Sequence, residues 1–195
     1  LDADAVTARL RAGFEIKHAP SHLSFLVEAE GTLGIQNDYN AFPFAVPGSS
    51  QRRPGFSVVP DGESIDLNRL QVQYKTKAFA LTVGRQRINL DDQRFVGSVG
   101  WRQNEQTFDA FTIVNKTLPA ITLTAGYIYN VNRVFSDHSK LPTATFANVG
   151  NAKMKSPILN ISYKGWSVGE IVGYAYLLDY ADFATSSTQT WGLHF

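Results

Sequence analysis

The segment VTARLRAGFEIK, residues 6–17, decides the fold class. Its even positions are apolar, whereas its odd positions are polar or charged apart from Gly13. This period of two predicts a β-strand with one apolar face and one charged face. A similar alternation recurs, less regularly in places, in eight further segments: 23–30, 69–75, 79–84, 107–116, 121–130, 159–164, 166–178 and 188–195. The sequence therefore predicts an all-β chain of about nine antiparallel strands.

The predicted connections between these strands alternate between short and long. The short ones lie at 19–21, 75–78, 117–120 and 164–166, and the long, polar ones at about 34–65, 88–105, 132–155 and 179–187. Outer-membrane barrels have short periplasmic turns and long outer loops. Most of the predicted strands also have the length that a tilted strand needs to cross a bilayer. Residues 1–195 are therefore interpreted as one segment of an up-and-down transmembrane β-barrel.

The membrane interpretation decides which side chains face the lumen. In a membrane barrel Arg9, Arg11 and Lys17 line the lumen, and the apolar face of the same strand contacts lipid. In a soluble β-sandwich the two faces are exchanged, and alternation alone does not separate these cases. Strand length, loop alternation and aromatic residues favour the membrane. The Gly, Ala, Thr, Asn and Gln residues of the predicted inner face also suit a hydrated wall better than a dry core.

Composition excludes several classes of function. The formal net charge of +1 gives no reason to expect nucleic-acid binding, and the absence of cysteine excludes thiolate metal sites and cysteine nucleophiles. No run of about 18 apolar residues predicts a transmembrane helix. His18, His22, His138 and His194 lack metal-ligand spacing, and no Ser/His/Asp grouping predicts a catalytic site. The chain is therefore expected to be neither an enzyme nor a protein with a metal or another cofactor.

The odd strand number predicts that this chain is part of a larger barrel. The first and ninth predicted strands run in the same direction, whereas single-chain bacterial barrels have an even number of strands. An open sheet edge inside lipid leaves backbone groups without hydrogen bonds. We therefore expect at least one strand before Leu1, or assembly with further copies.

Four stretches resemble the alginate-export family of outer-membrane porins. They are TARLRAGFE (7–15), LNRLQVQYK (67–75), NVNRVF (130–135) and, most specifically, GRQRINLDDQRFVGSVGWRQNEQTFDA (84–110). The resemblance implies a barrel of about twice this length with an electropositive pore, located in the outer membrane of a Gram-negative bacterium. It also implies transport of an anionic polysaccharide such as alginate.

The residues of the most specific block support an arginine-rich constriction. Arginines 85, 87, 94 and 102 surround a loop that also carries the apolar residues 95, 96, 99 and 101. A loop folded into the lumen would pack the apolar groups on the wall and present guanidinium groups to the pathway. Guanidinium groups suit carboxylates, and acidic neighbours would keep a permeant from binding too tightly. The predicted pore-lining set is Arg9, Arg11, Lys17, Glu28, Glu30, Arg69, Lys75, Arg85, Arg87, Arg94, Arg102, Glu105, Asp109 and Arg133.

Three alternatives remain open at this point. The arginines could instead form a salt-bridge lattice that braces the wall, and the two roles can coexist. Arg85 and Arg87 share the parity of lipid-facing Val83, so either Gly84 forms a bulge, the strand leaves the bilayer there, or both arginines face lipid. The aromatic residues Tyr127, Tyr129, Tyr163, Trp166, Tyr174, Tyr176 and Trp191 are interpreted as an interface girdle, with a sugar-stacking track as the alternative.

The leading hypothesis is an outer-membrane channel for diffusion or export of anionic solutes, in contact with membrane lipid. The alternative is a structural or binding β-barrel whose long loops, especially 34–65, associate with a partner or with another copy. A soluble β-sandwich is the third hypothesis.

Overall fold

The computed structural model describes residues 1–42, 51–60, 62–136, 145–146 and 148–195. Nine strands form one antiparallel sheet in which each strand pairs with the next along the chain. They are β1 (Asp4–His18), β2 (Leu23–Asp38), β3 (Ser64–Lys75), β4 (Phe79–Gln86), β5 (Thr107–Asn115), β6 (Ile121–Asn132), β7 (Asn151–Trp166), β8 (Gly169–Leu178) and β9 (Thr188–His194). The predicted all-β up-and-down architecture of nine strands is confirmed.

Several element boundaries differ from the sequence prediction. The turn between β7 and β8 is Ser167–Val168 rather than 164–166, because Trp166 pairs with Gly169 and closes a two-residue hairpin. β2 and β7, of 16 residues each, continue into segments that were expected to be loops. The added part of β2 forms backbone pairs with β1, and these pairs continue to Asp4↔Asp38.

The two faces of the sheet differ in what covers them. On one face, here called the outer face, large apolar side chains are open: Leu10 is 74% exposed, Phe14 56% and Ile16 62%. On the opposite, inner face lies the connection between β4 and β5, residues 87–106, here called the inner loop. Its Glu105 contacts Arg11 of β1 and its Asp91 contacts Tyr176 of β8. An exposed apolar face of this extent is typical of a surface that contacts lipid.

The inner loop packs on an apolar part of the wall. Its side chains Ile88, Leu90 and Val96 are buried in one cluster with Phe108, Ala110, Ile128, Val131, Ala152, Met154, Ile158, Tyr176 and Leu178 from β5–β8. The hydrated inner wall that the sequence predicted therefore does not extend to the part of β5–β8 that the loop covers. β5–β8 carry apolar residues on both faces, so the inner face there is dry where the loop covers it.

The sheet has two free edges in the part of the chain that the structure describes. The strand order runs from β1 to β9, and these two strands do not pair with each other. Within the described ranges, the helical elements are two short 3-10 turns, Ala19–Ser21 and Ala184–Ser186. Among the described residues, no helix combines the length and the hydropathy that membrane crossing requires.

Candidate functional site: the inner loop and its charged anchors

Gly84 breaks the alternation just before the inner loop. It has φ of +114°, and a Cβ added there would lie 2.2 Å from the carbonyl oxygen of Leu70. Only glycine adopts this backbone conformation without strain. Beyond it, Arg85 lines a small cleft together with Asn68 and Glu105, and Arg87 pairs with Glu105. Both arginines reach carboxylates, Arg85 at Asp109 and Arg87 at Glu105.

Four arginines of the predicted set each lie within ion-pair distance of a carboxylate. Arg69 pairs with Glu28 at 2.7 Å, Arg85 with Asp109 at 2.8 Å, and Arg87 with Glu105 at 2.5 Å. Arg11 pairs with Glu30 and lies 3.3 Å from Glu105. Arg11, Arg69, Arg85 and Arg87 therefore face Glu28, Glu30, Glu105 and Asp109, and the charges of this group sum to zero. It is here called the charge lattice.

Glu105 joins the inner loop to the lattice. Its side chain is 1% exposed and accepts hydrogen bonds from Arg87 and from Nδ2 of Asn68 at 2.7 Å. Its backbone N–H donates to Oε1 of Glu30 at 2.9 Å. A buried carboxylate is costly unless it is paired and hydrogen-bonded, and Glu105 is both. This end of the loop is therefore fixed to β1, β2 and β3.

Asp91 anchors the other end of the inner loop. Its carboxylate accepts the hydroxyl of Tyr176 at 2.6 Å and Nδ2 of Asn160 at 2.7 Å. Nε2 of His194 lies 3.3 Å from Oδ1 of the same carboxylate. The loop therefore reaches from β1 across the inner face to β9. Because it is anchored at both ends, the loop covers the inner face of the sheet in a fixed position and is not a solvated connection.

The inner loop holds three non-glycine residues in the left-handed region. They are Asp91 (φ 52°), Gln93 (φ 63°) and Val99 (φ 51°). A β-branched residue such as Val99 is a marked outlier there, and each such residue costs about 1–3 kcal/mol. Strain of this kind persists only where the surroundings determine the conformation. The anchors at Glu105 and Asp91 and the burial of Val96 fulfil that condition.

Three arginines of the predicted set, Arg9, Arg102 and Arg133, have no carboxylate partner in the described residues, and Arg9 and Arg102 contact each other. Arg9 is exposed and donates from Nη1 to the carbonyl oxygen of Arg102 at 2.8 Å. Arg102 donates from Nη2 to the carbonyl oxygen of Pro60 at 2.9 Å, and its guanidinium lies 5.3 Å from the ring of Trp101. Carbonyl acceptors and an aromatic ring leave the formal charge of both groups unneutralised.

The remaining predicted cations lie apart from the lattice. Arg94 is exposed at the loop tip, 3.6 Å from Asp92. Lys17 and Lys75 lie near the short turns, where Lys17 pairs with Glu15. Arg133 lies just beyond β6, with its guanidinium 4.5 Å from the ring of Phe146. This side chain lies between the rings of Phe135 and Phe146 at the loop end of the sheet, and burial lowers the pKa of its guanidinium.

The girdle interpretation is wrong for two of the aromatic residues. Tyr176 is 1% exposed on the inner face, and Tyr174 is stacked on it with ring centroids 5.1 Å apart. β8 is apolar on both faces, so its alternation could not show which side faces lipid. Trp191, in contrast, is 81% exposed on β9.

Sequence reasoning missed the neutral anchors of the inner loop. Nε2 of Gln103 donates to Oγ1 of Thr7 at 2.6 Å, and Asn68 and Asn160 hold the two anchoring carboxylates. These contacts join residues far apart in the chain, and no local spacing indicates them. No group of three or more potential metal-ligating side chains occurs among the described residues, and His138 lies outside them.

A nine-stranded up-and-down sheet with an apolar outer face and an inward loop defines a segment of a porin-type β-barrel. The chain belongs to the alginate export family, whose sequence profile matches residues 2–119. Family and fold together place it in the bacterial outer membrane. A search among curated proteins found no significant match.

Solved porins of Pseudomonas aeruginosa have a similar fold. OccK8 (OprE) is 17% identical with a TM-score of 0.57, and the match covers 90% of this chain and 41% of that one. OpdQ is 16% identical with a TM-score of 0.48, covering 90% and 40%. OccD3 (OpdP) is 15% identical with a TM-score of 0.48, covering 79% and 31%. The chain thus spans less than half the length of each of these porins.

Proposed function

We propose that the protein is an outer-membrane channel that attracts anionic solutes, with carboxylate-bearing polysaccharides such as alginate as the first candidates. One observation supports this most directly. The charge lattice is neutral, whereas Arg9 and Arg102 have no carboxylate partner among the described residues. An uncompensated guanidinium group pairs well with a carboxylate, and the planar fork gives the contact a preferred geometry.

In this proposal the arginines divide into two roles. The lattice holds the inner loop in place, and its carboxylates occupy Arg11, Arg69, Arg85 and Arg87. Arg9 and Arg102 are left to attract passing anions. Conduction requires attraction that is weak enough to allow release, and the exposed position of Arg9 in a hydrated lumen meets that requirement.

A closed pore requires more strands than this chain supplies. The open edges of β1 and β9 would be completed by further strands of the barrel, in keeping with the share of OccK8 that the chain covers. Closure by further copies of the chain is the other arrangement that satisfies the free backbone groups.

The experiment is a measurement of reversal potential in planar bilayers under a salt gradient, with the full-length protein. We expect an anion-selective current that oligouronates block. The double variant Arg9→Gln/Arg102→Gln should lose much of this selectivity. Lys153→Gln/Lys155→Gln is the matched control, because it also removes two positive charges but at exposed positions on the outer-face parity of β7.

A silent or cation-selective bilayer would contradict the proposal. An anion-selective current that persists unchanged in the double variant would contradict the assignment to Arg9 and Arg102. Both measurements should be made at low ionic strength, because salt screens exposed charges over about 8 Å at 0.15 M.

A further inference from the structure

A second group of cations lies at the opposite end of the inner face, beside the short turns. Lys17, Lys75 and Lys77 line one open cavity of about 710 Å³ together with His18 and His22. The cavity also borders Glu15, Ser24 and Gln73. None of the lattice arginines contributes to it. It is here called the turn-end cavity.

The strand register places the turn-end cavity on the inner face. Lys17 pairs across the ladder with Ser24, and Ser24 pairs with Gln73. Gln73 in turn lies opposite Thr82, which is buried on the inner face, and donates a hydrogen bond to it at 2.9 Å. The cavity therefore opens on the same side of the sheet as Arg11 and the inner loop.

The charge of the turn-end cavity is not balanced. Lys17 pairs with Glu15 at 2.9 Å, and both side chains are exposed. Lys75 and Lys77 have no ion pair with any residue in the described ranges, and Glu15 is the only acidic residue lining the cavity there. The nearest acidic residue along β2, Glu28, is occupied by Arg69. The cavity thus presents three ammonium groups against one carboxylate.

We propose that the turn-end cavity is a binding site for soluble anions that carry carboxylate or phosphate groups. This inference rests on the proposed function and extends it: anions meet the lysines at one mouth and the arginines near the inner loop. An ammonium group on a flexible stem acts as a point charge and accepts many anion geometries. The site therefore concentrates anions without selecting their shape, and exposure keeps the binding weak.

The test uses the full-length protein in detergent with its lysines converted to ¹³C-dimethyl-lysines, which keep their charge. Trigalacturonate is the carboxylate probe, inorganic phosphate the second anion, and maltotriose the uncharged control. We expect saturable shifts of the methyl signals of Lys17, Lys75 and Lys77 with either anion. Lys153 and Lys155, which are exposed near the other end of the sheet on β7, should not respond.

The double variant Lys75→Gln/Lys77→Gln should bind trigalacturonate about five- to tenfold more weakly, as expected for the loss of two partly screened charges. Equal shifts at Lys153 and Lys155, or no shift at the turn-end lysines, would overturn the inference. A shift that follows the phosphatidylglycerol content of nanodiscs but not soluble anions would overturn it as well, since the ligand would then be a lipid headgroup.

This readout does not depend on conduction. Shifts at the turn-end lysines with a silent bilayer would leave the site standing and contradict the channel. An anion-selective current without such shifts would support the channel and overturn the turn-end site.

Discussion

The backbone N–H of Glu105 donates to Oε1 of Glu30, so two buried acidic residues are in direct contact between the inner loop and β2. Their side chains are each 1% exposed, and Arg11 lies within ion-pair distance of both. Like charges this close repel each other unless a cation is shared between them. We therefore expect Arg11 to stabilise the contact between the inner loop and β2 by neutralising Glu30 and Glu105.

Replacing Arg11 with methionine should destabilise the protein by about 2–4 kcal/mol, somewhat below the usual cost of breaking a fully buried pair, because Arg11 is partly exposed. The measurement is equilibrium unfolding of the detergent-folded barrel. Lys17→Gln removes a cation from an exposed pair on the same strand and should change stability by less than about 1 kcal/mol. Equal effects of the two substitutions would show that Arg11 has no special role.

Tyr176→Phe should loosen the Asp91 end of the inner loop. The substitution removes the hydroxyl that donates to Asp91 at 2.6 Å, a charge-assisted hydrogen bond of about 1.5–3 kcal/mol. We expect faster amide hydrogen exchange in residues 88–97. Tyr174→Phe is the matched control, because the Tyr174 hydroxyl makes no hydrogen bond within the described residues. Unchanged exchange in Tyr176→Phe would count against the anchor.

Gly84→Ala should impair folding. The added Cβ would meet the Leu70 carbonyl oxygen at 2.2 Å, and φ of +114° is unfavourable for alanine. Gly31→Ala is a suitable comparison, since its nearest contact would be 3.4 Å from the Ser64 carbonyl oxygen. The fraction of protein that shows heat-modifiable gel mobility measures folding. The prediction fails if both variants fold to the same extent.

Val72→Arg should lower the refolding yield of the protein more than Gln71→Arg does, although the two positions are adjacent. Val72 is 49% exposed on the outer face, where an arginine in lipid costs up to about 2–4 kcal/mol depending on depth. Gln71 is on the inner parity of the same strand, so an arginine there should be tolerated. Refolding yield into lipid vesicles measures the difference. Similar yields would contradict lipid contact at Val72.

The sheet could be predicted from sequence because alternation is a local property. The apolar and charged faces of residues 6–17 are evident in any window of that length, and the irregularity at Gly84 was detectable from the parity of Arg85 and Val83. β8 marks the limit of this reasoning. With apolar residues at both parities, its sequence is compatible with either orientation, and Tyr176 was therefore assigned to the wrong face.

The pairing of the inner loop could not be predicted in the same way. Spacing indicated a group of arginines and nearby acids, but the partner of Glu105 is Arg87 on one side and Arg11 on the other. Which arginine remains without a carboxylate follows only from the three-dimensional arrangement. The division between arginines with and without a carboxylate partner therefore required the structure.

The span of the inner loop also sets an order of events during assembly. Gln103 contacts Thr7 near the start of the chain, and Asp91 contacts His194 near its end. The first contact requires β1 beside the loop and the second requires β9, and contacts of such long sequence separation form slowly. Docking of the inner loop should thus be a late step of folding that follows formation of the strands on both sides of it.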